Sequence, residues 1–294
     1  MGKRVYHHND IRPVIMGMSL PARRLLYLCL ERLYRESDRD SVVIKFDSSQ
    51  VFTIAVNDYA KACDIDYSAA YRQMVSGADC LMKTQVKAMA HFIGDTSKPK
   101  DYVKPFMVAV KGTGYTHGEG YIDIKLDEDI RYFISDLTKN FTSQFLHSAM
   151  SISDGNAGKL YLMLREWISS GKYSDNVITV DQLREDLGLS NSKSYEQFKL
   201  FKSQFFSRAT KQIIAKTEFT SIDMEIVERR ARKAHKVKIS YKYSSKESEG
   251  ENQLVDKVPV RKESKVSPQK SKPVKRSAID VLEEKISNFN FNED

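Results

Sequence analysis

Residues 54–74 (IAVNDYAKACDIDYSAAYRQM) align without a gap on residues 178–198 (ITVDQLREDLGLSNSKSYEQF). The offset is 124 throughout, and five of the 21 positions are identical: Ile54/Ile178, Val56/Val180, Ser68/Ser192, Tyr71/Tyr195 and Gln73/Gln197. Residue class agrees at further positions. Tyr59/Leu183 and Cys63/Leu187 are apolar at i and i+4, the spacing of one helix face. Ile65 and Leu189 fall in a turn. Asn57 and Asp181 suit an N-cap after a short strand, and Ser68 and Ser192 suit the cap of a second helix. Each copy therefore reads as strand, short helix, turn, second helix, which is a helix-turn-helix. Its first helix is too short to stand alone and must pack on something else.

Each copy has a packing partner upstream. The segment SLPARRLLYLCLERLY (19–34) reads as an amphipathic helix capped by Ser19, with Pro21 in its first turn. Leu25, Leu26, Leu28, Cys29 and Leu33 form its inner face. NAGKLYLMLREWI (156–168) plays the same part for the second copy. Each copy is also followed by a hairpin pattern. PFMVAV (105–110) and YIDIKL (121–126) are joined by KGTGYTHGEG; FTSIDMEIV (219–227) and VKISYKY (237–243) are joined by ERRARKAH. In the last strand Val237, Ile239, Tyr241 and Tyr243 alternate with Lys236, Lys238 and Lys242. Helix, strand, helix-turn-helix and hairpin in that order predict an α+β chain of two tandem winged-helix domains, 1–145 and 146–243. A mixed-charge tail, 244–294, is rich in Lys, Glu, Ser and Pro and predicts disorder. Within it, SAIDVLEEKISNF (277–289) has the pattern of a short amphipathic helix.

Charge is distributed unevenly. Residues 193–243 carry 13 Lys or Arg against 5 Asp or Glu, whereas residues 1–192 carry 24 of each and residues 244–294 carry 10 of each. The whole net charge of +8 thus lies in about fifty residues. A face that binds a polyanion explains this; uniform solvation does not. Residues 229–242 alone hold seven cations and no acid. In the second copy, Tyr195, Phe198, Phe201 and Phe205 fall on one face of the second helix, read as 192–206, and belong to the core. The other face offers Ser192, Lys193, Gln197, Lys199 and Lys202 to a major groove, where amides and cations read base edges and phosphates. The wing adds Arg229, Arg230, Arg232, Lys233 and Lys236. In the first copy the candidates are Ser68, Tyr71, Arg72 and Gln73, beside small Ala69 and Ala70 that permit close approach. The neutral charge of that copy predicts weaker DNA contact.

Enzyme signatures fail on inspection. GNAGK (155–159) is two residues short of a phosphate loop, and Leu160 stands where Ser or Thr is needed. GTGYTHG (112–118) has the wrong spacing for a dinucleotide site. The histidines His7, His8, His91, His117, His147 and His235 form no His-x-His pair, and neither HExxH nor CxxC occurs. Three cysteines, Cys29, Cys63 and Cys80, lack metal spacing and read as free thiols in a reducing cytoplasm. No apolar run reaches membrane-spanning length, and no signal peptide is evident. The expectation is a cytoplasmic binding protein with no catalytic residues, no metal and no cofactor.

The order of these segments resembles the iteron-binding class of plasmid replication initiators. The likeness runs through HHNDI, LPARRLLYLCLERL, GEGYIDIKLDEDIRYFI (118–134), NFTSQFLHSAMSISDGNAGKLYLML, the second helix-turn-helix and the basic hairpin, over roughly residues 5–243. The resemblance implies two winged-helix domains and monomers bound to repeated origin sequences in double-stranded DNA. It implies opening of adjacent AT-rich DNA and recruitment of host replication proteins such as an initiator, helicase or primase. It also implies homodimers, joined through the first domain, that repress their own gene. A winged-helix repressor with no initiation role is the alternative. The long tail departs from the family pattern.

Overall fold

The computed structural model describes residues 3–37, 42–89, 103–107, 110–114, 120–135, 137 and 140–244. The tail and its 277–289 segment lie outside the described residues. The repeat is structural as well as sequential. Strand Val51–Ala55 and strand Asp175–Thr179 are related by the offset of 124, and helices Val56–Cys63 and Val180–Asp186 follow them. Each short helix ends on a left-handed residue at the same position of the repeat, Asp64 (φ 54) and Gly188 (φ 64). Gly adopts this conformation freely, and Asp is among the few other residues that tolerate it. Each copy closes with a three-stranded sheet of the same order. Val51–Ala55 and Val110–Gly114 flank Tyr121–Leu126, while Asp175–Thr179 and Phe219–Arg230 flank Lys233–Tyr243. These are two winged-helix domains.

Several local expectations are corrected. Asn57 and Asp181 lie inside their helices: the N-caps are Ala55, with no side-chain bond, and Thr179, whose hydroxyl accepts from the Gln182 amide. Asp66, not Ser68, caps the Tyr67–Lys83 helix by accepting from the Ala69 amide. Asp66 has the extended backbone of an N-cap (φ −68, ψ 159), whereas Ser68 is already the second residue of the helix. In the first wing, Tyr121–Leu126 pairs with Val110–Gly114, nearer the turn, whereas Val103–Met107 pairs with Gln85–Met89 in a separate ribbon. The expected PFMVAV strand is therefore divided between two ribbons, and Lys111 lies in a strand, not a loop. Tyr121–Leu126 is central in its sheet and has no free edge for pairing with a second molecule.

Two helices carry the cores. Leu20–Glu31, capped by Ser19 as expected, is buried from Ala22 through Leu30, including Arg23 and Arg24. It crosses the Tyr67–Lys83 helix closely: a Cβ on Gly77 would lie 2.8 Å from the Pro21 carbonyl carbon. Gly155–Ser169 is buried at Ala157, Leu160 through Arg165, Trp167 and Ile168. It packs on the long helix of the second domain and on strand Phe141–Phe145, which pairs with the N-terminal strand Arg4–His8. Leu146–Ser151 lies on the Leu20–Glu31 and Val56–Cys63 helices of the first domain. The junction is thus built into both domains. Arg24 donates to the Met150 and Ile152 carbonyls at 2.8 and 2.7 Å, and Arg165 bridges the Ser143 carbonyl and the Glu218 carboxylate. Cys29, Cys63 and Cys80 are free; burial pushes the Cys29 thiol up to about 12.

Candidate nucleic-acid interface

The reading helix of the second domain differs from the one expected over 192–206. Lys193–Tyr195 forms a single 3-10 turn that Ser192 precedes without a side-chain cap. Gln197 is extended (φ −76, ψ 121) and exposed, and the continuous helix begins at Phe198 and runs to Lys216. Its Phe201–Phe206 segment is wound as a π-helix, in which the Ser207 hydroxyl donates to the Lys202 carbonyl five residues back. Phe201 and Phe205 are fully buried and stack at 5.3 Å, with Tyr195 edge-on to Phe205 at 5.6 Å. Of the expected aromatic core face, Phe201 and Phe205 are buried, whereas Tyr195 and Phe198 are half-buried and pack against it. Its bulk anchors the helix start, while the chain before it, freed at Gln197, turns its polar groups outward.

The helix and the wing meet along an open groove of about 470 Å³ lined by Phe198, Lys199, Lys202, Ser203 and Ser207 on one side and Ile226 and Arg229 on the other. Lys193, Lys199 and Lys202 are exposed. Lys202 also reaches the wing, donating to the Met224 carbonyl at 3.0 Å. Ser207 and Ile226 were not anticipated, although Ser203 and Ser207 follow Lys199 at steps of four, the spacing of one helix face.

The wing is longer and its turn tighter than the expected eight-residue loop. Strands Phe219–Arg230 and Lys233–Tyr243 pair up to Arg230↔Lys233, leaving only Ala231 and Arg232 between them. Both are left-handed, with φ 44 and 65. This is the type I′ geometry that matches strand twist in two-residue hairpins. Val237, Ile239 and Tyr241 are buried and the intervening lysines point outward, as the alternation predicts. The wing cations are less free than their sequence suggests. Glu228 lies 2.8 Å from both Arg230 Nε and Lys236 Nζ, and Lys238 is 3.5 Å from Asp175. The acids that pair with this run lie just before it or across the sheet, where a window over 229–242 does not find them. Arg229, Arg232 and Lys233 are exposed and have no carboxylate partner among the described residues. The two cations beside Glu228 hold its carboxyl down at about 2.

In the first domain the candidates separate. Arg72 and Ser68 are exposed, Tyr71 is half-buried, and Gln73 is occupied within the structure. Its Oε1 accepts from Arg24 at 3.0 Å and from the Tyr59 hydroxyl at 3.2 Å. Gln73 is thus not exposed as expected. Asp58, Asp64 and Asp66 stand around this helix-turn-helix. No cluster of groups able to hold a metal ion occurs, and no helix is long and apolar enough to cross a membrane, among the described residues.

Residues 4–165 match the first winged-helix domain of the initiators (Initiator Replication protein, WH1), and residues 179–241 match the second (Initiator Rep protein, WH2). The chain belongs to the initiator replication protein family. The first match ends within the Gly155–Ser169 helix at the junction. The initiator is 26% identical over 270 residues to the PI protein of Escherichia coli, covering 84% of this chain and 85% of that protein. It is 24% identical over 218 residues to an uncharacterized 27.6 kDa protein of Escherichia coli, covering 73% and 86%. It also shares its fold with the Pi initiator protein crystallised in complex with iteron DNA, at a TM-score of 0.70 and 24% identity, covering 83% of this chain and 99% of that one.

Proposed function

We propose that this initiator binds repeated origin sequences as a monomer, with its second winged helix as the main reader. Lys199 and Arg229 carry this reading, because they are exposed cations on the two sides of one groove, and Lys193, Arg232 and Lys233 add exposed cations before the helix and at the wing tip. Phosphate contacts from these groups fix the register, and Gln197, released from helical geometry at the helix start, is placed to reach a base edge. No covalent chemistry is required. Binding energy is used to bend or open adjacent AT-rich DNA, a deformation costing on the order of several kcal/mol. Host replication proteins then load on the opened strand. The bound state of the related Pi protein supports the choice of iteron DNA as ligand.

A dimer formed through the first domain acts as autorepressor in this reading. Among the described residues the outer strands of its sheet are Val51–Ala55 and Val110–Gly114, which flank the enclosed central strand. Sedimentation of the full chain, with hydrogen exchange at those two strands, checks it: added protection with rising concentration is expected at one of them. Initiation itself is tested with a plasmid that carries the DNA flanking this gene but lacks the gene. It should replicate only when the chain is supplied in trans. A protein that binds that DNA without restoring replication is a repressor only. Neutralising 5 to 7 phosphates predicts that log K falls with log[salt] at a slope of roughly −4.5 to −6. A slope near zero overturns the assignment of the basic face.

A further inference from the structure

The wing holds one acid in the middle of its cations. Glu228 faces Lys236 across the ladder at a point where the register shifts on both sides, between Ile226 and Glu228 and between Glu228 and Arg229. This irregularity adds twist to the strand. It lets one carboxylate reach along its own strand to Arg230 Nε and across to Lys236 Nζ, both at 2.8 Å, with His235 Nε2 at 3.9 Å. Hairpin stability is a weak reason for this arrangement. The pairs are solvated, with the Arg230 side chain 67% exposed and Lys236 40%, and solvated pairs contribute little. In a surface that meets phosphates, a carboxylate also repels the ligand. Its presence calls for an explanation in binding.

We propose that Glu228 is a specificity-determining residue that restrains Arg230 and Lys236, weakening the wing's grip on DNA of arbitrary sequence. The proposal rests on the DNA-binding reading above. Sequence-independent affinity comes almost wholly from phosphate neutralisation, and base contacts add the discrimination. A wing whose cations were all free would hold any duplex, and the many non-specific sites of a genome would compete with the origin. With Glu228 in place, Arg229, Arg232 and Lys233 remain available to phosphates. Arg230 and Lys236 are held in one geometry with their charge offset. On random DNA, loss of the carboxylate adds net charge and releases two mobile cations. On the cognate site the same gain is opposed by loss of that fixed geometry.

The test uses the full chain and its Glu228→Gln variant on two duplexes: a random-sequence 30-bp duplex and one selected from a random pool by the wild-type protein. At about 0.15 M salt the variant should bind random DNA about 10-fold more tightly, with a salt slope steeper by about 1 to 2. Its affinity for the selected duplex should change by less than about 3-fold, so the specificity ratio falls. Glu228→Thr, which keeps a good strand former, should behave alike. Adding Arg230→Gln and Lys236→Gln to Glu228→Gln should cancel the gain. Unchanged or weaker binding to random DNA, an equal gain on both duplexes, or a gain that survives removal of the two cations each overturns the proposal. Salt-insensitive binding by the wild-type protein refutes the DNA-binding reading itself, and the proposal with it.

Discussion

Gln73 and Gln197 occupy one position of the repeat and serve different ends. Gln73 sits within a helix and accepts from Arg24 and Tyr59, whereas Gln197 stands exposed at a helix start. Removing a partner of a buried donor costs about 1–3 kcal/mol. Gln73→Ala should therefore lower the free energy of unfolding in urea by about 1–2 kcal/mol and leave DNA affinity as it was. Gln197→Ala should leave the urea midpoint unchanged and weaken binding in a gel shift. His7 offers a second contrast. It is fully buried, and its Nδ1 lies 3.1 Å from the His8 carbonyl, to which it donates. Burial lowers its pKa to about 4. The unfolded chain, titrating near 6.5, then binds the extra proton between those values, so stability is complete above about pH 6.5 and is lost as pH falls toward 4. From pH 7 to 5 the loss due to His7 should be about 2 kcal/mol. Comparison with His7→Leu isolates it: the wild type should lose about 2 kcal/mol relative to the variant between pH 7 and 5, and parallel curves contradict the assignment.

At the scale of elements, the second wing and the helix beside it form the proposed DNA-binding unit. The wing pairs to its tip and turns through two left-handed residues, so its exposed cations are carried on a stiff ribbon. Arg229 and Arg232 lack acid partners among the described residues and pack on little. Reversing both to Glu should reduce DNA affinity at least 100-fold, by loss of attraction and added repulsion, with a thermal melt that moves by no more than a degree or two. An unchanged affinity would place the interface elsewhere. The aromatic stripe of the helix was legible from its spacing. The break at Gln197 was not, because no Pro or Gly marks it. There the chain passes through a 3-10 turn, an extended residue and a π-wound segment.

At the scale of the molecule, the junction binds the two winged helices through buried charge. Arg165 and Glu218 are 3.1 Å apart with side chains only 5% and 4% exposed, and Arg165 also donates twice to the Ser143 carbonyl. Arg12 links Glu166 and Asp186 from the N-terminal helix Arg12–Gly17. Breaking a buried pair leaves a charge without its partner, at a cost of about 3–5 kcal/mol. Arg165→Met should accordingly lower stability by that order in chemical denaturation. A change below about 1 kcal/mol would show that the pair is dispensable to the junction.

Periodicity and charge counting, which need only the order of residues, determined the duplicated strand–helix–turn–helix unit, the core faces of its helices, the alternation of the last strand and the basic character of the second copy. Local patterns suffice there because each repeats at the period of its own element. The tertiary structure alone decided which of the later cations are offset, since Glu228 meets Lys236, and Asp175 meets Lys238, only through strand pairing. It alone decided that Arg23 and Arg24 turn inward, because the carbonyls that receive Arg24 lie 126 and 128 residues away. It also decided that Tyr121–Leu126 is enclosed between two neighbours. Such outcomes depend on contacts between distant residues, and a buried donor is directed by the acceptor it meets, which no local pattern encodes.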